Sequence, residues 1–144
     1  MIRVFFDANV FLDVFAKRVP FYQHSARVLT LVEQQQVTGY TSSLNFSNLF
    51  YIIRKQHSRD VALTYLRQLV SFINILSVDE QIITLALHSS FTDFEDAVQF
   101  YTAKHHQISF LITRNKKDYI SAHKKELQIV TPEEFLLFWK ATFL

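Results

Sequence analysis

The chain has 144 residues, enough for one ordinary domain with its own core, and its formal net charge is only +2. A hydrophobic fraction of 49% and a charged fraction of 19% exclude a disordered or fibrous protein, and 15 phenylalanines predict a core rich in aromatic rings. With no cysteine and a single glycine, Gly39, the chain also excludes disulfides, thiolate metal sites and glycine-rich phosphate loops.

Ile2–Phe6 is an apolar run broken only by Arg3, the pattern of a strand covered on both faces. Met1 leads straight into it without the basic and long apolar segments of a secretory signal, and no stretch approaches the ~20 apolar residues of a membrane span. These features predict a cytoplasmic protein with one domain over 1–144. A short helix follows near Val10–Phe15, Pro20 marks a loop, and Tyr22–Gln36 reads as a helix with Ala26, Leu29 and Val32 on one stripe. Val37–Thr41 is the second strand. Ser42 or Ser43 caps a helix over Leu44–His57, whose buried stripe is Phe46, Leu49, Phe50 and Ile53.

Arg59–Ile73 is the next helix, with Val61, Tyr65, Leu69 and Phe72 spaced for burial. Ile75–Val78 is the third strand, and Asp79 caps a helix over Glu80–Ser89. Asp93 caps another that runs to His106. Ser109–Thr113 and Gln128–Val130 are the fourth and fifth strands. Pro132 opens a final helix, with Glu133 and Glu134 at its positive end. Strands alternating with helices predict an α/β fold: a three-layer α/β/α sandwich around a central, mostly parallel five-stranded sheet.

Such a sheet has one functional rim, at the carboxyl ends of its strands. Asp7 follows the first strand; Ser42, Ser43, Asn45 and Asn48 follow the second; Thr113, Arg114, Asn115 and Asp118 follow the fourth. The helix before the fourth strand runs antiparallel to it and brings Asp93, Glu95 and Asp96 to the same rim. Converging carboxylates repel one another unless a cation lies between them, and Mg²⁺ or Mn²⁺ prefers such oxygen ligands. Asp93 and Glu95 suit a helix start, Asn9 suits a turn that orients Asp7, and Asp13, further along the first helix, reads as a surface acid. Arg54, Arg114 and Lys116 fall in small basic groups able to hold phosphates.

The segments Val4–Val10, Phe94–Gln99 and Leu111–Tyr119 together resemble the PIN domain family across essentially the whole chain. The resemblance implies a parallel five-stranded sheet and an acidic pocket that binds Mg²⁺ or Mn²⁺. It also implies ribonuclease activity, often as the toxin of a VapBC-type toxin–antitoxin pair, with an antitoxin partner and a homodimer. On this pattern Asp7 and Asp96 match family acids, and Thr113 matches a hydroxyl residue of the pocket. Asn115 occupies the usual fourth acidic position, with Asp118 three residues on as its substitute; Asp7, Asp96 and Asp118 would then hold the metal. Asn48 stands where the family carries Glu, which implies a less acidic pocket that binds metal more weakly. The alternative to an active ribonuclease is a catalytically impaired PIN-like binding module. A haloacid-dehalogenase-like phosphatase is disfavoured because Asn9 cannot act as the required general acid.

Overall fold

A computed structural model of the chain describes residues 1–119 and 127–143. Its strands are β1 (Arg3–Phe6), β2 (Thr38–Ser42), β3 (Ile73–Leu76), β4 (Phe110–Ile112) and β5 (Gln128–Val130). Its helices are α1 (Ala8–Phe15), α2 (Tyr22–Glu33), α3 (Ser43–Gln56), α4 (Arg59–Val70), α5 (Glu80–Leu87), α6 (Phe94–His105) and α7 (Pro132–Phe143), with a short 3-10 turn at Lys116–Tyr119. All pairings are parallel and the strand order is β3-β2-β1-β4-β5. This is the predicted α/β/α sandwich.

The alternation of side chains along β1 separates the two cores. Val4 and Phe6 pack with residues of α1, α2, α3, α4 and α7, whereas Phe5 packs against Phe100, Leu111 and Tyr119 on the α6 face. A strand buried on both faces in this way must be apolar throughout, and Val4, Phe5 and Phe6 are all fully buried. The central strand is therefore rigid where it ends, at Asp7.

Three details differ from the sequence reading. The third strand is Ile73–Leu76 rather than Ile75–Val78, because α4 ends at Val70, where the Ser71 hydroxyl donates to the Gln68 carbonyl at 2.6 Å. The chain then pairs at once, Ile73 opposite Gly39. The buried face of α4 is Ala62, Leu66 and Leu69; Val61, expected inside, is 40% exposed in the first turn. Thr131, not only Pro132, starts α7: its hydroxyl accepts from Glu134 N at 3.1 Å while its own N–H donates to the Glu134 carboxylate at 2.9 Å. This is a reciprocal capping box that the Thr-Pro-Glu-Glu segment encodes.

Gly39 is required by packing. A Cβ there would lie 2.8 Å from Val32 Cγ1, 3.0 Å from Ile73 Cδ1 and 3.1 Å from Phe6 Cε2. Gly39→Ala must push β2 away from β1, β3 and α2 in a filled core. It should lower stability by roughly 1–3 kcal/mol, the range for overpacking, read as a fall in the urea midpoint at unchanged slope.

Candidate active site

The chain builds outward from β1 to β2 and β3, then returns to place β4 on the other side of β1. Connections leave β1 and β4 in opposite directions, so a crevice opens at their carboxyl ends, the usual ligand position in such sheets. Asp7 and Thr113 are the first residues beyond those two ends. Asp7 N donates to the Ile112 carbonyl at 3.0 Å, and the Thr113 hydroxyl donates to Asp7 Oδ2 at 2.9 Å. Asp7 occupies the N-cap position of α1 with an extended backbone, yet its side chain makes no capping hydrogen bond, so the helix does not consume it. Burial pushes its carboxyl above the usual range, against the Thr113 hydroxyl and the Ala8 and Asn9 amides, which favour the anion. Asn9 is the second residue of α1 rather than a turn residue. Among the described residues its side chain makes no hydrogen bond to Asp7; only its backbone amide acts on that carboxylate.

A buried polar chain holds the site from behind. The Phe6 carbonyl, directly before Asp7, accepts from the Thr41 hydroxyl at 3.0 Å and from Asn45 Nδ2 at 3.3 Å. Asn45 Nδ2 also donates to Thr41 Oγ1 at 3.0 Å. Ser42 caps α3 by accepting from Asn45 N at 3.0 Å, and its hydroxyl donates to Gln99 Oε1 at 2.6 Å. Gln99 lies one turn beyond Asp96 on α6. Three elements that carry the site are thus tied together; the sequence offers Ser42 as a cap and sets Asn45 at the rim, but Thr41 and Gln99 had no expected role. The signal was there: Asn45 precedes buried Leu49 by four residues, and Gln99 stands between buried Val98 and Phe100.

Asp93 is the N-cap of α6, accepting from Asp96 N at 3.0 Å, and Glu95 is exposed in the first turn. Asp96 is half-buried beside them. Its carboxyl is pushed up to about 7, first by burial and then by the negative charges of Asp7, Asp93, Asp118 and Glu95. Asp118 sits exposed in the 3-10 turn; its N–H donates to the Asn115 carbonyl at 3.1 Å, and Asn115 N donates to Thr113 Oγ1 at 3.2 Å. Asn115 therefore braces the hydroxyl that holds Asp7. Among the described residues the buried Tyr119 hydroxyl has no hydrogen-bond partner; burial, then the charges of Asp7, Asp96, Asp118 and Asp93, raise its pKa.

Asp13 is not a surface acid. It is fully buried, 3.3 Å from Arg114 Nη1 and 3.6 Å from Arg18 Nη1. α1 turns it inward beside Leu12 because the guanidiniums compensate its charge, although burial still raises its pKa. Among the proposed phosphate-holding cations, Arg114 is therefore engaged with Asp13, and its guanidinium carbon lies 4.5 Å from the Phe21 ring centre. Lys116 pairs with Glu134 at 2.9 Å, while Arg54 is exposed in the last turn of α3. Asn48 is half-buried on α3, one turn beyond Asn45, and α3 carries no acidic residue.

The donor set suits a hard divalent cation. Asp7 and Asp96 are partly or wholly desolvated carboxylates; the charge of Asp7 raises the cost of ionising Asp96, and that of Asp118 the cost of ionising both, the situation a cation relieves. Among the described residues, no three acid or histidine side chains close into a metal cage. One or two carboxylates with the remaining positions filled by water is the ordinary arrangement for Mg²⁺.

The family model described as the PIN domain matches residues 3–117. The chain is 24% identical over 142 residues to ribonuclease VapC1 of Aquifex aeolicus (strain VF5), covering 95% of each. Its structure is similar to a chain of a toxin–antitoxin complex from Klebsiella pneumoniae, with TM-score 0.66 and 25% identity over 90% of this chain and 97% of that one. It also resembles a chain of VapBC2 from Rickettsia felis, solved bound to a promoter DNA fragment, with TM-score 0.68 and 15% identity over 89% of this chain and 97% of that one.

Two outcomes follow from the electrostatics. Below its ordinary 3.8, Asp96 is protonated whether the chain is folded or not; between there and about 7 it is protonated only when folded. Raising pH through that window in the presence of a chelator should therefore erode stability. Asp96→Asn should flatten that part of the slope in thermal unfolding across pH, and an unchanged slope would refute the assignment. Asp13→Asn strips the counter-charge from two arginines that still reach water, so the loss should be about 2–3 kcal/mol, at or below the low end for a broken buried pair, measured by chemical unfolding.

Proposed function

The chain belongs to the PIN domain family, and from that premise we propose that it is a divalent-metal-dependent endoribonuclease, the toxin of a toxin–antitoxin pair. The observation that carries this reading is the pairing of Asp7 and Asp96 at the switch point of the sheet, each carboxyl displaced upward by burial and by neighbouring acids. The names of its relatives support the substrate and the antitoxin partner. Among the described residues no helix is long and apolar enough to cross a membrane. The reading further comprises a single domain over 1–144, a cytoplasmic location and a homodimer.

Asp7 and Asp96 would hold Mg²⁺ or Mn²⁺, with Asp118 reaching in from its exposed turn. The bound cation would supply Lewis-acid stabilisation of a phosphodiester and an activated water. Thr113 keeps Asp7 Oδ2 fixed, and Asn115 keeps Thr113 fixed, so the anchoring oxygen stays in place when RNA binds. Asn48 would add an uncharged amide oxygen. Arg54, exposed at the end of α3 and without an ion-pair partner among the described residues, would hold the RNA backbone, whereas Arg114 and Lys116 would contribute only the donors not already directed to Asp13 and Glu134.

A second reading, a catalytically impaired PIN-like interaction module, rests on the amide at position 48 in a helix without a carboxylate. One experiment separates the two. With Mn²⁺ present, wild type should cleave single-stranded RNA, and Asp7→Ala and Asp96→Ala should each lower kcat on the order of 100-fold or more. Asn48→Glu should bind Mn²⁺ more tightly by calorimetry. Absence of cleavage by wild type, or equal cleavage by Asp7→Ala, would favour the interaction module.

A further inference from the structure

Beside the acidic crevice lies a cavity of about 250 Å³ that the reaction described above does not use. Arg114, the residue after Thr113, forms one wall, and Thr131, the residue after β5, forms another, so the cavity opens at the same rim as Asp7. Phe21 and His24 line the side contributed by the entry to α2, and Glu133 lines the start of α7.

The walls have a particular chemistry. The Phe21 ring is 37% exposed, and the Arg114 guanidinium lies against it. The buried Asp13 carboxylate, shared with Arg18, holds that guanidinium in place and offsets part of its charge. Among the described residues, the buried Arg114 Nε has no hydrogen-bond partner. Glu133 adds negative charge to the lining, which disfavours a phosphate there. What remains is a slot for a flat, neutral group with hydrogen-bonding edges, too small for the roughly 300–1,000 Å³ ligands of ordinary pockets. A nucleobase fits this description, because unstacked bases are received on aromatic rings and arginine planes and read along their edges.

We propose that this cavity receives one nucleobase of a single-stranded RNA, next to the phosphodiester presented to Asp7 and Asp96; the proposal rests on the ribonuclease reading above. Phe21 supplies the stacking face, and His24 and Glu133 face the base edge. The enzyme then prefers particular bases at one position beside the bond it cuts.

The test is fluorescence anisotropy with short single-stranded RNAs, in chelator so that no cleavage intervenes, with an abasic site walked along the strand. Wild type should lose about 10-fold in affinity at one abasic position, the scale of one base–aromatic stack. Phe21→Ala should lose a similar factor on intact RNA and little more at that abasic position, because the two changes remove the same contact. Phe21→Leu, which keeps the apolar packing, should behave like Phe21→Ala, and Phe21→Tyr like wild type. Losses that add fully at every abasic position, or intact-RNA binding unchanged in Phe21→Ala, would overturn the subsite. Wild type showing the non-additive pattern yet cutting no RNA with Mn²⁺ would leave the subsite standing and remove the ribonuclease reading. Cleavage by wild type with additive losses would do the reverse, and no binding of single-stranded RNA by wild type would overturn both.

Discussion

A carboxylate buried at the end of the central strand is the constraint around which this protein is arranged. Asp7 is 8% exposed and follows three residues with no exposure at all. An unpaired ionised carboxylate in such a place would cost several kcal/mol, so its surroundings must answer it with donors. The Thr113 hydroxyl does so from β4, and the first amides of α1 favour its charge. Both depend on the strand order, since only the return of the chain to the far side of β1 places Thr113 beside Asp7. The polar chain through Thr41, Asn45, Ser42 and Gln99 then fixes the backbone that leads into the carboxylate.

The same loop resolves a second buried carboxylate in the opposite manner. Thr113 serves Asp7 with a neutral hydroxyl, and its neighbour Arg114 serves Asp13 with a full positive charge. A cation placed beside Asp7 would have quenched the negative potential on which the proposed metal site depends. Placed one residue later, it latches α1 to the end of β4 without touching the acidic crevice. The two contacts clasp α1 at both ends, so Asp7 is held by its own hydrogen bond and by the anchoring of the helix it begins. The Arg114 guanidinium, fixed in this way, becomes a stable wall for the adjacent cavity rather than a mobile arm.

Much of the layering was legible in the sequence, because strands covered on both faces must be continuous apolar runs and helices facing a core must repeat near 3.6. β1, β5 and the capped starts of α3, α5 and α6 follow from such local signals. The third strand was misplaced because Phe72, Ile73 and Ile75 satisfy either period over so short a stretch, and pairing with Gly39 decides between them. Asp13 was misread for a related reason: its burial depends on Arg114, a hundred residues away in the chain, and no local pattern reports such a partner. Asn45 and Gln99 were visible as polar residues in buried stripes, yet only the fold reveals that they bond to Phe6 and Ser42.

The amide at position 48 acquires a physical meaning from the state of Asp96. That carboxyl is already pushed to about 7 by burial and by its acidic neighbours, so each further negative charge beside it is costly without a cation. A further carboxylate on α3 would strengthen attraction for a metal, but it would also raise the repulsion that the metal-free fold must bear. An asparagine there keeps an oxygen available while adding no charge. In the proposed metal site the amide would lower affinity and favour the metal-free protein, so half-occupancy would need a higher cation concentration than in a site with the full set of acids. In the proposed site, position 48 would act on the balance between metal-free and metal-bound forms, while Asp7 and its donors would set the geometry common to both.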